Sequence, residues 1–186
     1  MSTAREQIIQ STCDLLERQG FHGTGLNEIV KESGAPKGSL YHYFPQGKEQ
    51  MASEAVLHSG RHTAERIRME LAQSYPASKA IHDFIMNIAD HVEQSGFGAG
   101  GPLTAVAMET ATQSERINLA CREAYGMIES AFRDKLLDSG FAKTKADELS
   151  TFITASVEGG ILLSRTYHTG DPLRVVARFL KVLLAS

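Results

Sequence analysis

Apolar positions recur along this chain at intervals of three and four residues, and no stretch alternates as a strand would. Thr3-Ala4-Arg5-Glu6 reads as a capping box that opens a helix to about Gln19. Ile8, Ile9, Thr12, Leu15 and Leu16 form its inward stripe, Gly20 is its expected stop, and Phe21 is expected to plug the small core beside it. Leu26, Ile29 and Val30 mark the apolar edge of a second, short helix. Ser33-Gly34-Ala35-Pro36 then breaks the chain, with Gly34 suited to the left-handed C′ position and Pro36 to the first turn of a new helix. That third helix, Lys37 to Tyr43, is barely two turns long; it turns Leu40 inward, with Phe44 just past its end.

The pattern continues to the C-terminus. A long helix is predicted from Lys48 to about Gln73, interrupted by Gly60, which permits bending at a cost of about 1 kcal/mol relative to alanine. Tyr75-Pro76 ends it, and Ser78 opens the next helix, to about Gln94. The run SGFGAGG at 95–101 has the most flexible composition in the chain and precedes Pro102 at the first turn of a short helix, LTAVAMETA. Ser114 is expected to cap a helix ending before Gly140, with Ile117, Cys121, Ala124, Ile128, Ala131 and Phe132 inward. Thr144, with Asp147 three places on, is expected to cap a helix to about His168 that carries Leu149, Phe152, Ile153, Val157, Gly160, Ile161 and Ser164. Asp171-Pro172 starts a last helix presenting Leu173, Val176, Ala177, Leu180 and Leu184. The predicted fold is all-α: a three-helix helix-turn-helix domain over residues 1–47, then a helical domain over 48–186.

Composition narrows what such a fold can do. With 42% hydrophobic and 22% charged residues the 186-residue chain has an ordinary globular balance. No apolar run reaches membrane-spanning length, and the polar opening MSTAREQIIQ does not resemble a secretory leader, so a cytoplasmic protein with no membrane partner is expected. The net charge is −3, and residues 1–60 hold five Lys/Arg against seven Asp/Glu. Any nucleic-acid binding must then come from a local cluster, strengthened by pairing of two chains.

Such a cluster surrounds the third helix. Two short helices joined by a tight glycine-containing turn form the helix-turn-helix pattern, whose second helix enters the DNA major groove. Lys37, Gly38, Ser39, Tyr41, His42 and Tyr43 lie around Leu40 and offer an ammonium, a close-approach backbone, hydroxyls and an imidazole. These are groups for phosphates and base edges, where a solvated surface helix more often carries Glu, Lys and Gln. The helix N-terminus adds backbone N–H groups suited to a phosphate oxygen. Thr24 and Lys48 flank the unit and are expected to reach backbone phosphates.

At GAPKGSLYHYFPQGKEQM the chain resembles the TetR family of bacterial transcriptional repressors, whose recognition helix commonly reads K-G-x-L-Y-x-x-F. Lys37, Gly38, Leu40, Tyr41 and Phe44 match that wording, and the longer Phe44-Pro45-Gln46-Gly47-Lys48 link is similar to the LmrA/YxaF-like branch. Pro36 and Gly25 depart from it, standing where a helix-capping Ser and a second Ser or Thr are usual. The resemblance implies a dimeric repressor on a palindromic double-stranded DNA operator, a homodimer through the last two helices, and release of DNA by a small effector bound in the 48–186 domain. Read alone, the broad apolar arc of those last helices, with Gly159-Gly160, fits either a closed internal core or a pairing surface.

The middle helices carry Phe84, Ile88, His91, Val92, Phe97, Leu103, Met108, Tyr125, Ile128, Phe132, Phe152 and Glu158. Aromatics and methionines with few polar groups suit either an ordinary core or a cavity for a small apolar or aromatic molecule. In the second case His91, Glu109, Tyr125 and Glu158 are the candidates to orient it, and the 96–101 glycines a gate. Enzymatic chemistry finds no support. His58 and His62 have metal-ligand spacing but no third ligand, the 96–101 glycines follow no strand, Cys121 sits between Ile117 and Tyr125 at helical spacing, and no nucleophile signature appears. No cofactor and no metal are expected. The alternative function is a helical small-molecule binding or adaptor protein without DNA binding.

Overall fold

The computed structural model describes residues 3–185. They form an all-α fold, with helices α1 (Ala4–Gly23), α2 (Leu26–Ser33), α3 (Lys37–Tyr43), α4 (Lys48–Ala72), α5 (Ala77–Gln94), α6 (Pro102–Thr110), α7 (Glu115–Asp138), α8 (Lys143–Tyr167) and α9 (Asp171–Leu183). None of the described helices is long and apolar enough to cross a membrane.

Two compact units result. One holds the residues up to Arg61 together with Gly101–Tyr125, and the other holds His62–Gly100 together with the residues from Gly126 on. In the first, α1 packs against α2, α3 and α6, around Ile8, Leu15, Leu16, Ile29, Leu40 and Phe44. In the second, α5, α8 and α9 pack on one another, with Ile81, Phe84, Ile85, Ile153 and Leu173 fully or nearly fully buried. Sequence periodicity anticipated these faces because a helix buries one stripe whatever lies opposite.

Several local signals behave as their chemistry requires. The Thr3 hydroxyl accepts from Glu6 N–H at 3.2 Å and the Glu6 carboxylate from Thr3 N–H at 2.8 Å, completing the capping box. Gly34 ends α2 at φ 64°, a conformation that costs glycine nothing. Others differ. Gly20 (φ 71°, ψ −175°) does not stop α1 but kinks it, and a last turn follows to Gly23. Gly60 is no point of bending: α4 runs through it, and a Cβ there would stand 2.6 Å from Ala124 Cβ. Thr144 lies inside α8 rather than capping it, because the helix already starts at Lys143, and Asp147 pairs instead with Lys143 at 2.8 Å. Asp171 is the first residue of α9 and Gly170 its cap, since Glu93 takes the Gly170 N–H at 2.7 Å.

Candidate nucleic-acid interface

The α2–α3 pair is set by two buried anchors. Leu40 is the one fully buried residue of α3, and Phe44 follows it, equally buried, its N–H donating to the Leu40 carbonyl at 2.8 Å. With Leu40 inward, the rest of a seven-residue helix faces out: Lys37, Gly38, Tyr41, His42 and Tyr43 are exposed and Ser39 half-buried. Tyr41 is 53% exposed. His42 and Tyr43 rings meet edge-on at 5.0 Å between centroids, which steadies both on the outer face. Two of the neighbouring arginines are neutralised, Arg5 by Glu54 and Arg18 by Glu32, whereas Lys31 and Lys37 make no ion pair among the described residues.

The two flanking residues are placed differently from expectation. Thr24 is buried, and its Oγ1–H donates to the Gly20 carbonyl at 2.7 Å. A hydroxyl so enclosed and committed to its own chain offers no phosphate contact, which corrects that assignment. Lys48 opens α4 with its ammonium 4.4 Å from the centre of the Phe21 ring. Loss of water on that ring lowers its pKa, and the Glu109 carboxylate partly opposes the shift. In this arrangement Lys48 braces the Phe21 turn.

The residues expected around an effector fall in both units. Leu103, Met108, Glu109 and Tyr125 belong to the first, and Phe84, Ile88, His91, Val92, Phe97, Ile128, Phe132, Phe152 and Glu158 to the second. Within the second, Phe84 and Phe132 meet edge-on at 5.8 Å, and Val92 and Ile128 are buried with Ile88 half-buried. Three residues of the set do not face an interior of the single chain: His91 is exposed, Met108 is 74% exposed and Phe152 53%. Glu109 has a backbone partner. Its Oε2 accepts the His22 N–H at 2.8 Å, which commits one carboxylate oxygen to backbone. Tyr125 shares a hydrogen bond with Thr104 Oγ1 at 3.0 Å. Phe97 is half-buried, its ring beside His168.

Sequence reasoning missed three features. Arg116 hydrogen-bonds Gln46, in the link just after α3. Glu17 accepts the Gly101 N–H at 2.7 Å and so caps α6 from α1. The outward faces of α8 and α9 expose Leu162, Leu163, Tyr167, Phe179 and Val182, with Phe179 71% bare. Only the third had a sequence signal, the width of the apolar arc. Burial pushes the Cys13 thiol up to about 12, with Asp14 and Glu17 adding to it, and burial takes Cys121 up to about 11. Thiols so protonated are poor nucleophiles. Among the described residues no group of three or more His, Cys, Asp or Glu is placed to hold a metal.

Known proteins share this arrangement. Residues 8–55 match the family described as bacterial regulatory proteins, tetR family, and residues 77–179 the C-terminal domain of LmrA/YxaF-like transcriptional regulators. The chain is 41% identical to the HTH-type transcriptional regulator YxaF of Bacillus subtilis (strain 168), over 97% of this chain and 95% of that one. It is 40% identical to the HTH-type transcriptional regulator LmrA of the same organism, over 97% and 96%. The crystal structure of reduced Escherichia coli NemR superposes with a TM-score of 0.84 at 22% identity, covering 96% of this chain and 95% of that one, a likeness of fold. These families and relatives are transcriptional regulators, not enzymes. The chain accordingly belongs to the TetR family of bacterial transcriptional regulators, with an LmrA/YxaF-like C-terminal domain.

Proposed function

We propose that this protein is a ligand-responsive dimeric repressor that binds a palindromic operator through α3 and is released by a small apolar or aromatic effector. The observation that carries the DNA-reading part is the outer face of α3, where Lys37, Tyr41, His42 and Tyr43 are exposed about the buried Leu40. Lys37 contacts a phosphate, and the aromatic and polar tips with Gly38 and Ser39 meet base edges and sugar–phosphate. Residues 1–47 supply these contacts; residues 48–186 supply pairing and effector response.

Pairing runs through α8 and α9. Their outward Phe152, Leu162, Leu163, Phe179 and Val182 make an apolar face that a monomer rarely leaves in water. Gly159, exposed and with open space where a Cβ would stand, lets a second backbone approach that face. Two reading helices about 34–36 Å apart would then engage successive major grooves. The effector lodges in the second unit beside Phe84, Ile88, Val92, Ile128 and Phe132. It shifts DNA affinity by the roughly 5–150-fold typical of such couplings.

The test is selection of duplexes from a random library by the purified protein, followed by gel-shift with Tyr41→Ala and Phe179→Glu. A palindromic consensus, loss of binding with Tyr41→Ala, and a monomer that binds poorly with Phe179→Glu are expected. Enrichment of no sequence at low salt would leave a helical small-molecule binding protein in place of a repressor. An effector is then sought by release of the selected duplex with lipophilic aromatic compounds, and no release by any of them would remove the ligand response.

A further inference from the structure

The break in α1 is held by side chains from three elements. Thr24 donates its hydroxyl to the Gly20 carbonyl at 2.7 Å. Lys48, at the start of α4, covers the Phe21 ring at 4.4 Å. Glu109, at the end of α6, accepts the His22 N–H at 2.8 Å, and its other oxygen lies where a Cβ at position 20 would stand. Only glycine leaves that space, and only glycine adopts φ 71° there without strain. At the opposite end of α6, Glu17 of α1 accepts the Gly101 N–H at 2.7 Å. So α1 and α6 are tied twice, each contributing a carboxylate to the other's backbone.

This double tie places α6 in the compact unit of α1–α3, although the matched C-terminal family domain, residues 77–179, includes it. We infer that Glu109 is a positioning residue for DNA recognition: its carboxylate fixes the Gly20–His22 turn, and thereby the direction in which α2 and α3 leave α1. The lever is short. Gly23, Thr24 and Gly25 alone separate the turn from α2, and the Gly34–Pro36 link couples α2 to α3. A carboxylate that swings away frees the turn to rotate, and α3 tilts with it. No atom of Glu109 need approach DNA.

The inference rests on the DNA-reading function above, and its test begins with the duplex that the parent protein selects. A parent that selects none overturns that function, and this role with it, before any variant is made. Glu109→Leu and Glu109→Gln are titrated on the selected duplex at a temperature where circular dichroism shows both folded, while amide exchange at His22 is followed. Glu109→Leu should lose about tenfold in affinity, the weight of one hydrogen bond to a charged acceptor expressed as a ratio. Its salt slope should not change, because no phosphate contact is removed, and His22 should exchange faster. Glu109→Gln, which keeps an acceptor oxygen, should bind close to the parent. Should Glu109→Leu fail to fold, Glu109→Asp, one methylene short of His22, replaces it with the same loss expected. Parent-like affinity in Glu109→Leu or Glu109→Asp, with a lowered melting temperature or faster His22 exchange, would reduce the residue to a brace and overturn the proposal. A loss in Glu109→Gln as large as in Glu109→Leu would overturn it too, by assigning the effect to charge beside Lys48.

Discussion

Arg165 donates from Nε to the Phe97 carbonyl at 3.2 Å, which fastens the glycine-rich segment after α5 to the end of α8. The Phe97 ring lies 5.1 Å from the His168 ring, and both residues have positive φ, 65° and 55°. Ser95 Oγ accepts the Ala99 N–H at 3.0 Å within the same segment. The stretch of most flexible composition in the chain is therefore held as a clasped turn. Arg165→Ala should speed amide exchange at residues 97–100 by more than about tenfold with little change in melting temperature, because such openings are local. Unchanged exchange there would mean that the glycine-rich turn holds itself.

Glycine-to-alanine changes at two helical sites should have opposite signs. At Gly60 in α4 the added methyl would meet Ala124 Cβ at 2.6 Å and Ala124 Cα at 2.9 Å, so backbone must move. Overpacking of that kind costs about 1–3 kcal/mol, more than the helix-propensity gain of about 1. A Cβ at Gly126 in α7 would meet nothing within 4 Å, so Gly126→Ala should gain up to about 1 kcal/mol. Urea titrations of the two variants decide it, and stabilisation by both would mean that α4 and α7 separate at no cost.

Lys37 and Lys48 should part company in salt dependence. Lys37 is exposed on α3, so Lys37→Ala should weaken all duplexes similarly and flatten the slope of log affinity against log salt by about one. Lys48 stands on Phe21, so Lys48→Ala should instead lower thermal stability by about 0.5–1 kcal/mol and leave the slope alone. A slope change of about one with Lys48→Ala would show that its ammonium leaves the ring for a phosphate.

The Glu93–Arg174 pair gives a pH dependence with a definite sign. Hydrogen bonds from the Arg174 guanidinium and the Gly170 N–H hold the Glu93 carboxyl down at about 2, against 4.5 ordinarily. A depressed folded-state pKa means that the unfolded chain takes up the proton first. Stability from this pair is thus complete above the ordinary value and lost as pH falls from about 4.5 toward 2. Melting temperatures of the parent and Arg174→Gln should differ by a constant amount near neutrality and converge across that window. A difference that persists at pH 2 would assign Arg174 to packing.

The helix order, the capping box at Thr3, the left-handed Gly34 and the Leu40–Phe44 anchors of α3 were all legible in the amino-acid order. Each depends on residues within one turn of one another, so local spacing is enough. What lies opposite a helix face is another matter. Phe152 and Ile153 are neighbours on α8 that point about 100° apart, yet both belong to its wide apolar arc; that Ile153 is fully buried and Phe152 53% exposed follows from which side of that arc the neighbouring helices cover. Thr24 and Glu109 carry groups that suit a phosphate or an effector, but each is drawn to backbone beside Gly20 once α1 kinks there. Gly60 turns from a point of bending into a close approach because Ala124 arrives from far along the chain. Sequence therefore determined the helices and the exposed face of α3 proposed to meet DNA, through short-range sterics and hydrogen bonding. Tertiary packing decided which polar groups remain available, because a partner distant in sequence occupies a donor or acceptor only after the helices have met.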